Sequence, residues 1–143
     1  MTDYTHGSHS TYYLKYHLVW CTKYRYKVLT GDVATRTRDL IRQIALRNDI
    51  KIEKGHVSQD HIHLLVSILP TSAVSKIMQY LKGSSSIKIF QEFPHLKKKY
   101  WGQHLWARGY FVATVGNVNE KQIKDYIEHQ DEPKDSNFTI TAS

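Results

Sequence analysis

One cysteine, Cys21, stands among 143 residues, which excludes an intramolecular disulfide framework and a cysteine-rich zinc site. A lone thiol fits a reducing compartment. No stretch approaches the roughly 20 apolar residues that span a bilayer. The first ten residues are polar and lack the apolar segment of a secretory signal. The expectation is a soluble, intracellular protein without a membrane partner. Acidic residues are outnumbered: 13 Asp and Glu face 20 Lys and Arg, a net charge of +7 and a pI near 9.4. Ten tyrosines and three tryptophans accompany the cations. Cations neutralise phosphates and aromatic faces stack on unpaired bases, so nucleic acid is a candidate partner. A solvated basic surface would look the same. Hydrophobic residues make up 41%, which excludes compositional disorder. The length suits a single domain over 1–143, with a core at about 11–130 and a loose tail at 131–143.

There is no internal repeat and no low-complexity segment. Residues 11–21 predict a strand, with Leu14, Tyr16, Leu18 and Trp20 alternating with Tyr13, Lys15, His17 and Val19. Residues 22–30 form a basic, aromatic connection. Asp32 caps a predicted helix at about 33–48, striped by Val33, Leu40, Ile41, Ile44 and Ala45. Strands follow at about 50–57 and 61–69, linked by Ser58, Gln59 and Asp60 as an antiparallel hairpin. Ser72 opens a second helix that runs to Pro94, with Gly83 and the serines at 84–86 as candidate interruptions. Residues 95–101 read as a basic loop and about 104–114 as a strand. A last helix covers about 120–129, where Asn119 and Gln122 resemble a capping box. The order of the first six elements predicts an α+β, ferredoxin-like antiparallel sheet with helices on one face. The last helix is an addition, and the other sheet face is left for a ligand, as in RNA-recognition domains.

The sharpest motif is Asp60-His61-Ile62-His63-Leu64-Leu65-Val66. On a strand His61 and His63 share one face, and Ile62, Leu64, Val66 and Ile68 share the other. The apolar set belongs under the helices, so both imidazoles fall on the open face. Neutral imidazoles ligate divalent metals, and two adjacent ones make half a site. Two surface histidines would give the same spacing. On the last helix Tyr126 and Gln130 are neighbours at i, i+4. A tyrosine hydroxyl, with a pKa of about 10, becomes a useful nucleophile toward a phosphate polarised by a metal. Gln130 would add an amide oxygen to the imidazoles. Such mixed ligation suits Mn2+, with Mg2+ also accommodated. Spacing alone favours a half-buried helix tyrosine at Tyr126 and a surface residue near a helix end at Gln130.

These residues sit in longer blocks: Tyr16-His17-Leu18-Val19-Trp20-Cys21-Thr22-Lys23-Tyr24-Arg25, Gly55-His56-Val57, the histidine motif, Ser75-Lys76-Ile77-Met78-Gln79-Tyr80-Leu81-Lys82-Gly83, Leu105-Trp106-Ala107-Arg108-Gly109-Tyr110-Phe111 and Ile123-Lys124-Asp125-Tyr126-Ile127. Together and in this order they resemble the HUH-type single-tyrosine transposases, the TnpA-type enzymes of small bacterial and archaeal insertion sequences, within the REP-associated tyrosine transposase superfamily. The resemblance implies that His61, His63 and Gln130 hold a divalent metal and that Tyr126 is the nucleophile. It further implies a cytoplasmic homodimer that recognises hairpins at element ends and cleaves and rejoins single-stranded DNA through a 5′-phosphotyrosine. Lys23, Arg25 and Lys27, interleaved with Tyr24 and Tyr26, and the run Lys97, Lys98 and Lys99 are candidate DNA contacts, as are Arg42 and Arg47. His17, Cys21 and His56 read as structural. Gly116 and Asn117 form a candidate hinge before the last helix. Two alternatives remain open: a non-catalytic ferredoxin-like nucleic-acid-binding module, and a domesticated repeat-processing relative with the same chemistry.

Overall fold

The computed structural model describes residues 5–6, 11–12, 14–128 and 137–138, with side chains at 14–116 and 121–128. Strands β1 (Thr5–His6) and β2 (Thr11–Tyr12) pair with each other. The main elements are β3 (Leu14–Cys21), α1 (Gly31–Arg47), β4 (Lys51–Val57), β5 (His61–Ile68), α2 (Val74–Glu92), α3 (Pro94–Lys99), β6 (Phe111–Thr114), α4 (Asn117–Glu128) and β7 (Asn137–Phe138). The sheet order is β6-β3-β5-β4-β7 and every pairing is antiparallel. The β3-α1-β4-β5-α2-β6 path through this order is the α+β, ferredoxin-like arrangement expected from the sequence. Among the described residues no helix is long and apolar enough to cross a membrane.

Strand alternation divides the core. Leu18, Trp20, Ile62, Leu64 and Val66 are buried with Leu40, Ile41 and Ile44 of α1 and Ile77, Met78 and Leu81 of α2. Leu65 lies on the opposite face of β5 and belongs to a second, smaller cluster with Val115 and Ile127, joined by Ile123. Helix α4 therefore packs on the face that α1 and α2 leave uncovered. An ion pair between Lys54 Nζ on β4 and Glu128 Oε1 on α4, at 2.6 Å, ties the same two layers.

Several expectations need correction. Helix α2 runs without a break through Gly83 and the three serines. Ser85 is fully buried; its hydroxyl donates to the Leu81 carbonyl and accepts the Trp106 indole N–H at 3.0 Å. The small residues thus admit a tryptophan to the core instead of ending the helix. The lysines of the predicted basic loop belong to α3, which starts with Pro94 in its first turn and carries Lys97, Lys98 and Lys99 in its last. Cations there complement the carbonyl end of the helix, while Leu96 and Tyr100 anchor it in the core.

The strand expected at 104–114 is confined to Phe111–Thr114. Upstream, Trp106 makes one isolated bridge with Thr22, and Lys82 Nζ donates to the Ala107 and Gly109 carbonyls at 2.9 Å each. A side chain thus takes the place of a ladder. Leu14, expected on the apolar side, is 38% exposed at the strand end. The backbone cap of α1 is Thr30, and Asp32 falls inside its first turn. Helix α4 begins at Asn117, so of the candidate hinge only Gly116 precedes it. The expected loose tail contains β7, paired to β4 through Gly55–Phe138 and His56–Asn137.

Candidate active site

The two histidines project from the end of β5 onto the face beneath α4. His61 and His63 rings meet edge to face with centroids 4.7 Å apart. His63 Nδ1 lies 3.4 Å from Nε2 of His17 on β3, and the two rings stack 5.6 Å apart. Register explains this: Val19 pairs with His63 and His17 with Leu65, which puts all four on one face. His56 on β4 pairs directly with His63 from the other side. His17 and His56, expected to be structural, therefore flank the expected metal pair.

Burial, followed by the repulsion of neighbouring His61, His17 and His56, pushes the His63 imidazole down to about 3. Burial alone lowers His17. His63 is thus neutral at neutral pH, the form in which an imidazole ligates a metal. At His61 the Nδ1 atom faces Asp60 Oδ1 at 2.7 Å, and Arg25 Nε donates to Asp60 Oδ2 at 3.1 Å. Burial raises the Asp60 carboxyl, but the hydrogen bonds from His61 and Arg25 outweigh it and hold the group below the usual carboxylate range.

Tyr126 is carried by α4 through the contacts of Ile123 and Ile127 with Leu65 and Val115. The i, i+4 relation of Ile123 and Ile127 fixes the buried face. The 55% exposed Tyr126 stands on its border, and its ring meets the His63 ring edge to face at 5.6 Å. The chain thus places the sequence-predicted tyrosine beside the histidine pair. Gln130 lies outside the described residues. Among the described residues no group of three or more His, Cys, Asp or Glu side chains forms a metal cage. Two imidazoles beside an open approach fit a hard or borderline divalent ion that draws further oxygen ligands from elsewhere.

Two of the candidate DNA contacts, Lys23 and Lys97, meet at a second feature. A groove of about 840 Å³ is lined by Lys23, Lys82, Lys97 and Arg108 around Phe90 and Trp106. Tyr26 bridges its two basic segments, with its ring 5.3 Å from Tyr100 and under Lys99 Nζ at 4.8 Å. Arg25, Lys27 and Lys98 are exposed. Burial lowers the Lys82 ammonium. Sequence reasoning named Lys23 and Lys97 but missed Lys82 and Arg108, whose proximity depends on the irregular path of residues 101–110.

The family model described as "Transposase IS200 like" matches residues 10–130. The chain belongs to this family. It is 42% identical over 124 residues to the ISDra2 transposase TnpA of Deinococcus radiodurans, covering 87% of this chain and 89% of the relative. It is 38% identical over 123 residues to the transposase for insertion sequence element IS200 of Salmonella typhimurium, covering 86% and 80%. A solved structure of a Deinococcus radiodurans R1 transposase superposes with a TM-score of 0.74 at 40% identity, over 88% of this chain and 97% of that one. A REP-associated tyrosine transposase bound to a REP hairpin shares the fold at a TM-score of 0.59 and 16% identity, over 89% and 70%. The resemblance stated from the sequence is thus established, and this IS200-like protein is a DNA transposase.

Proposed function

We propose that this IS200-like transposase cleaves and rejoins single-stranded DNA through Tyr126, with His61, His63 and Gln130 holding Mg2+ or Mn2+. The observation that carries the reading is the Tyr126 ring set against His63, beside His61, on the open face of the sheet. When bound, the metal ion supplies Lewis-acid polarisation of the scissile phosphate. The Tyr126 hydroxyl oxygen attacks phosphorus in line and loses its proton. The bond from phosphorus to the 3′ oxygen breaks, and that oxygen leaves as a protonated 3′ hydroxyl. The product is a 5′-phosphotyrosine, which conserves the phosphodiester linkage. The 3′ hydroxyl of another strand then attacks the same phosphorus, releases the tyrosine and forms a new junction. His61 and His63 orient and the basic groove positions the strand, so the protein's contribution is placement and charge stabilisation.

The partner in this reading is single-stranded DNA with hairpin ends, held by Lys23, Arg25, Lys27, Lys97, Lys98 and Lys99. Two of them, Lys23 and Lys97, line one aromatic-walled groove with Lys82 and Arg108, which supports a bound strand. The reading includes a cytoplasmic homodimer. Edge strand β6, with Phe111 55% and Val112 40% exposed, offers an apolar surface suited to a second copy.

The test is incubation of the protein with labelled single-stranded element ends and Mn2+ or Mg2+, followed by a denaturing gel. A slow, metal-dependent covalent band that vanishes in Tyr126→Phe supports the mechanism. Tight binding to authentic ends without any adduct would sink it and favour a non-catalytic binding module. Adducts formed on repeat hairpins instead of element ends would point to a domesticated repeat-processing role.

A further inference from the structure

The turn that follows β3 is strained in a way that the transposase reading leaves unexplained. Tyr24 and Arg25 are consecutive non-glycine residues in the left-handed region, at φ 62° and 54°. Such backbone is held only where its surroundings over-determine it, and it concentrates at functional sites. Here Thr22 N–H donates to the Asp60 carbonyl at 2.9 Å, and its hydroxyl donates to the Tyr26 carbonyl at 2.7 Å. Lys23 N–H donates to the Leu105 carbonyl at 2.8 Å and Arg25 N–H to the Thr22 carbonyl at 3.0 Å. The strained turn aims Arg25 at Asp60, and the Asp60 carboxylate is shared: Oδ2 accepts Arg25 Nε at 3.1 Å and Oδ1 faces His61 Nδ1 at 2.7 Å.

An ionised carboxylate only accepts hydrogen bonds. The His61 ring therefore carries a proton on Nδ1 and turns Nε2 away from Asp60. A carboxylate behind a ligating histidine fixes the tautomer and ring orientation and raises ligand basicity. At Arg25 only Nε is engaged with Asp60, and the side chain is 62% exposed. The Nη groups of its guanidinium thus remain available to a phosphate, beside the Lys23 ammonium in the same turn.

We propose that Asp60 is a positioning residue: it holds His61 as the Nδ1–H tautomer with Nε2 presented to the metal, and Arg25 links that carboxylate to a DNA phosphate lying on the Lys23–Arg25 turn. The metal and the DNA in this statement rest on the proposed function; the tautomer does not. Occupancy of the turn by DNA is thereby coupled to the geometry of one metal ligand.

The test uses the full chain with 15N-labelled histidine. In the metal-free wild type, at a pH high enough for the neutral ring, His61 shows a protonated Nδ1 and an unprotonated Nε2. Asp60→Ala moves it toward the opposite tautomer and weakens Mn2+ binding about 10–100-fold. Asp60→Asn, which keeps an acceptor oxygen at the same place, restores much of the tautomer. A short oligothymidylate shifts the His61 nitrogens in wild type and fails to do so in Arg25→Ala. An unchanged His61 tautomer and unchanged Mn2+ binding in Asp60→Ala overturn the inference, and an oligothymidylate shift that survives in Arg25→Ala overturns the link to DNA. A wild type that binds no Mn2+, yet whose His61 tautomer responds to Asp60→Ala, refutes the metal site of the proposed function and supports the Asp60 contact by itself.

Discussion

Ile127→Ala tests whether α4 is held on the sheet by apolar contact or by its ion pair. Ile127 is fully buried against Leu65 and Val115. The substitution removes three side-chain carbons, which at about 0.8 kcal/mol per buried methylene costs roughly 2.4 kcal/mol. That shifts the ratio of docked to undocked helix about 50-fold. The Lys54–Glu128 pair is short, but Glu128 is 45% exposed, and exposed pairs contribute about 0–1 kcal/mol. Glu128→Gln should therefore slow formation of the tyrosine adduct by no more than about 5-fold. Ile127→Ala should slow it by more than an order of magnitude wherever the docked helix is the reactive one. The assays are single-turnover adduct formation on a denaturing gel and hydrogen exchange of the α4 amides. The small cluster is separate from the main core, so faster exchange should be confined to α4 and the urea midpoint should move little. A large loss of global stability with an unchanged adduct rate would refute the reasoning, because Ile127 would then belong to the folding core and not to a docking contact.

Three further outcomes are expected. Ser85→Ala leaves the buried Trp106 indole N–H without its acceptor and should cost about 1–3 kcal/mol in urea unfolding; a loss below about 0.5 kcal/mol would contradict the assigned bond. Acid should destabilise the fold through His63. Its pKa falls from 6.5 in the unfolded chain to about 3 in the folded one, so this contribution is fully present above pH 6.5 and is lost as pH falls toward 3; His63→Gln should flatten the decline of the urea midpoint between pH 7 and pH 4, and an unaltered slope would count against it. Replacing Lys97, Lys98 and Lys99 together by Ala should weaken single-stranded DNA binding at low salt and reduce the salt slope by about 2, at roughly 0.7 per phosphate contact; an unchanged slope would remove α3 from the DNA path.

The parts of this molecule that were legible in the sequence are those governed by local period. Alternation along β5 assigned Ile62, Leu64 and Val66 to the core and His61 and His63 to the other face, because one shift of register would have buried the imidazoles under the helices. The i, i+4 relation of Ile123 and Ile127 is a helical period of the same kind, and in the structure it buries Ile127 and leaves Tyr126 at the border of that face. What escaped was decided between elements. Three successive lysines gave no sign that Leu96 and Tyr100 would hold them in a helix. Residues 104–110 had strand composition, yet Lys82, remote in sequence, takes two of their carbonyls and Trp106 is drawn under Ser85. His17 enters the site only through the register of β3 with β5. Asp60 was in plain view beside His61 but was read as part of a turn, since a turn residue's side chain has no period to betray its direction.

The same division bears on how the chemistry is assembled. The histidine pair is rigid because its strand is buried on the opposite face and paired on both edges by β3 and β4. Tyr126, the proposed nucleophile, stands on a helix held by a cluster of a few apolar side chains, adjacent to Gly116 and separate from the main core. The proposed strand transfer asks for this inequality. The scissile phosphate must be met by fixed ligands, because misplacement by an ångström costs orders of magnitude in rate. In the proposed reaction the tyrosine, once joined to a 5′ phosphate, must instead carry its strand to a different 3′ hydroxyl. A helix bound by only a few kilocalories can leave and return on the timescale of such a step, whereas the same tyrosine on β5 could not move without unfolding the sheet.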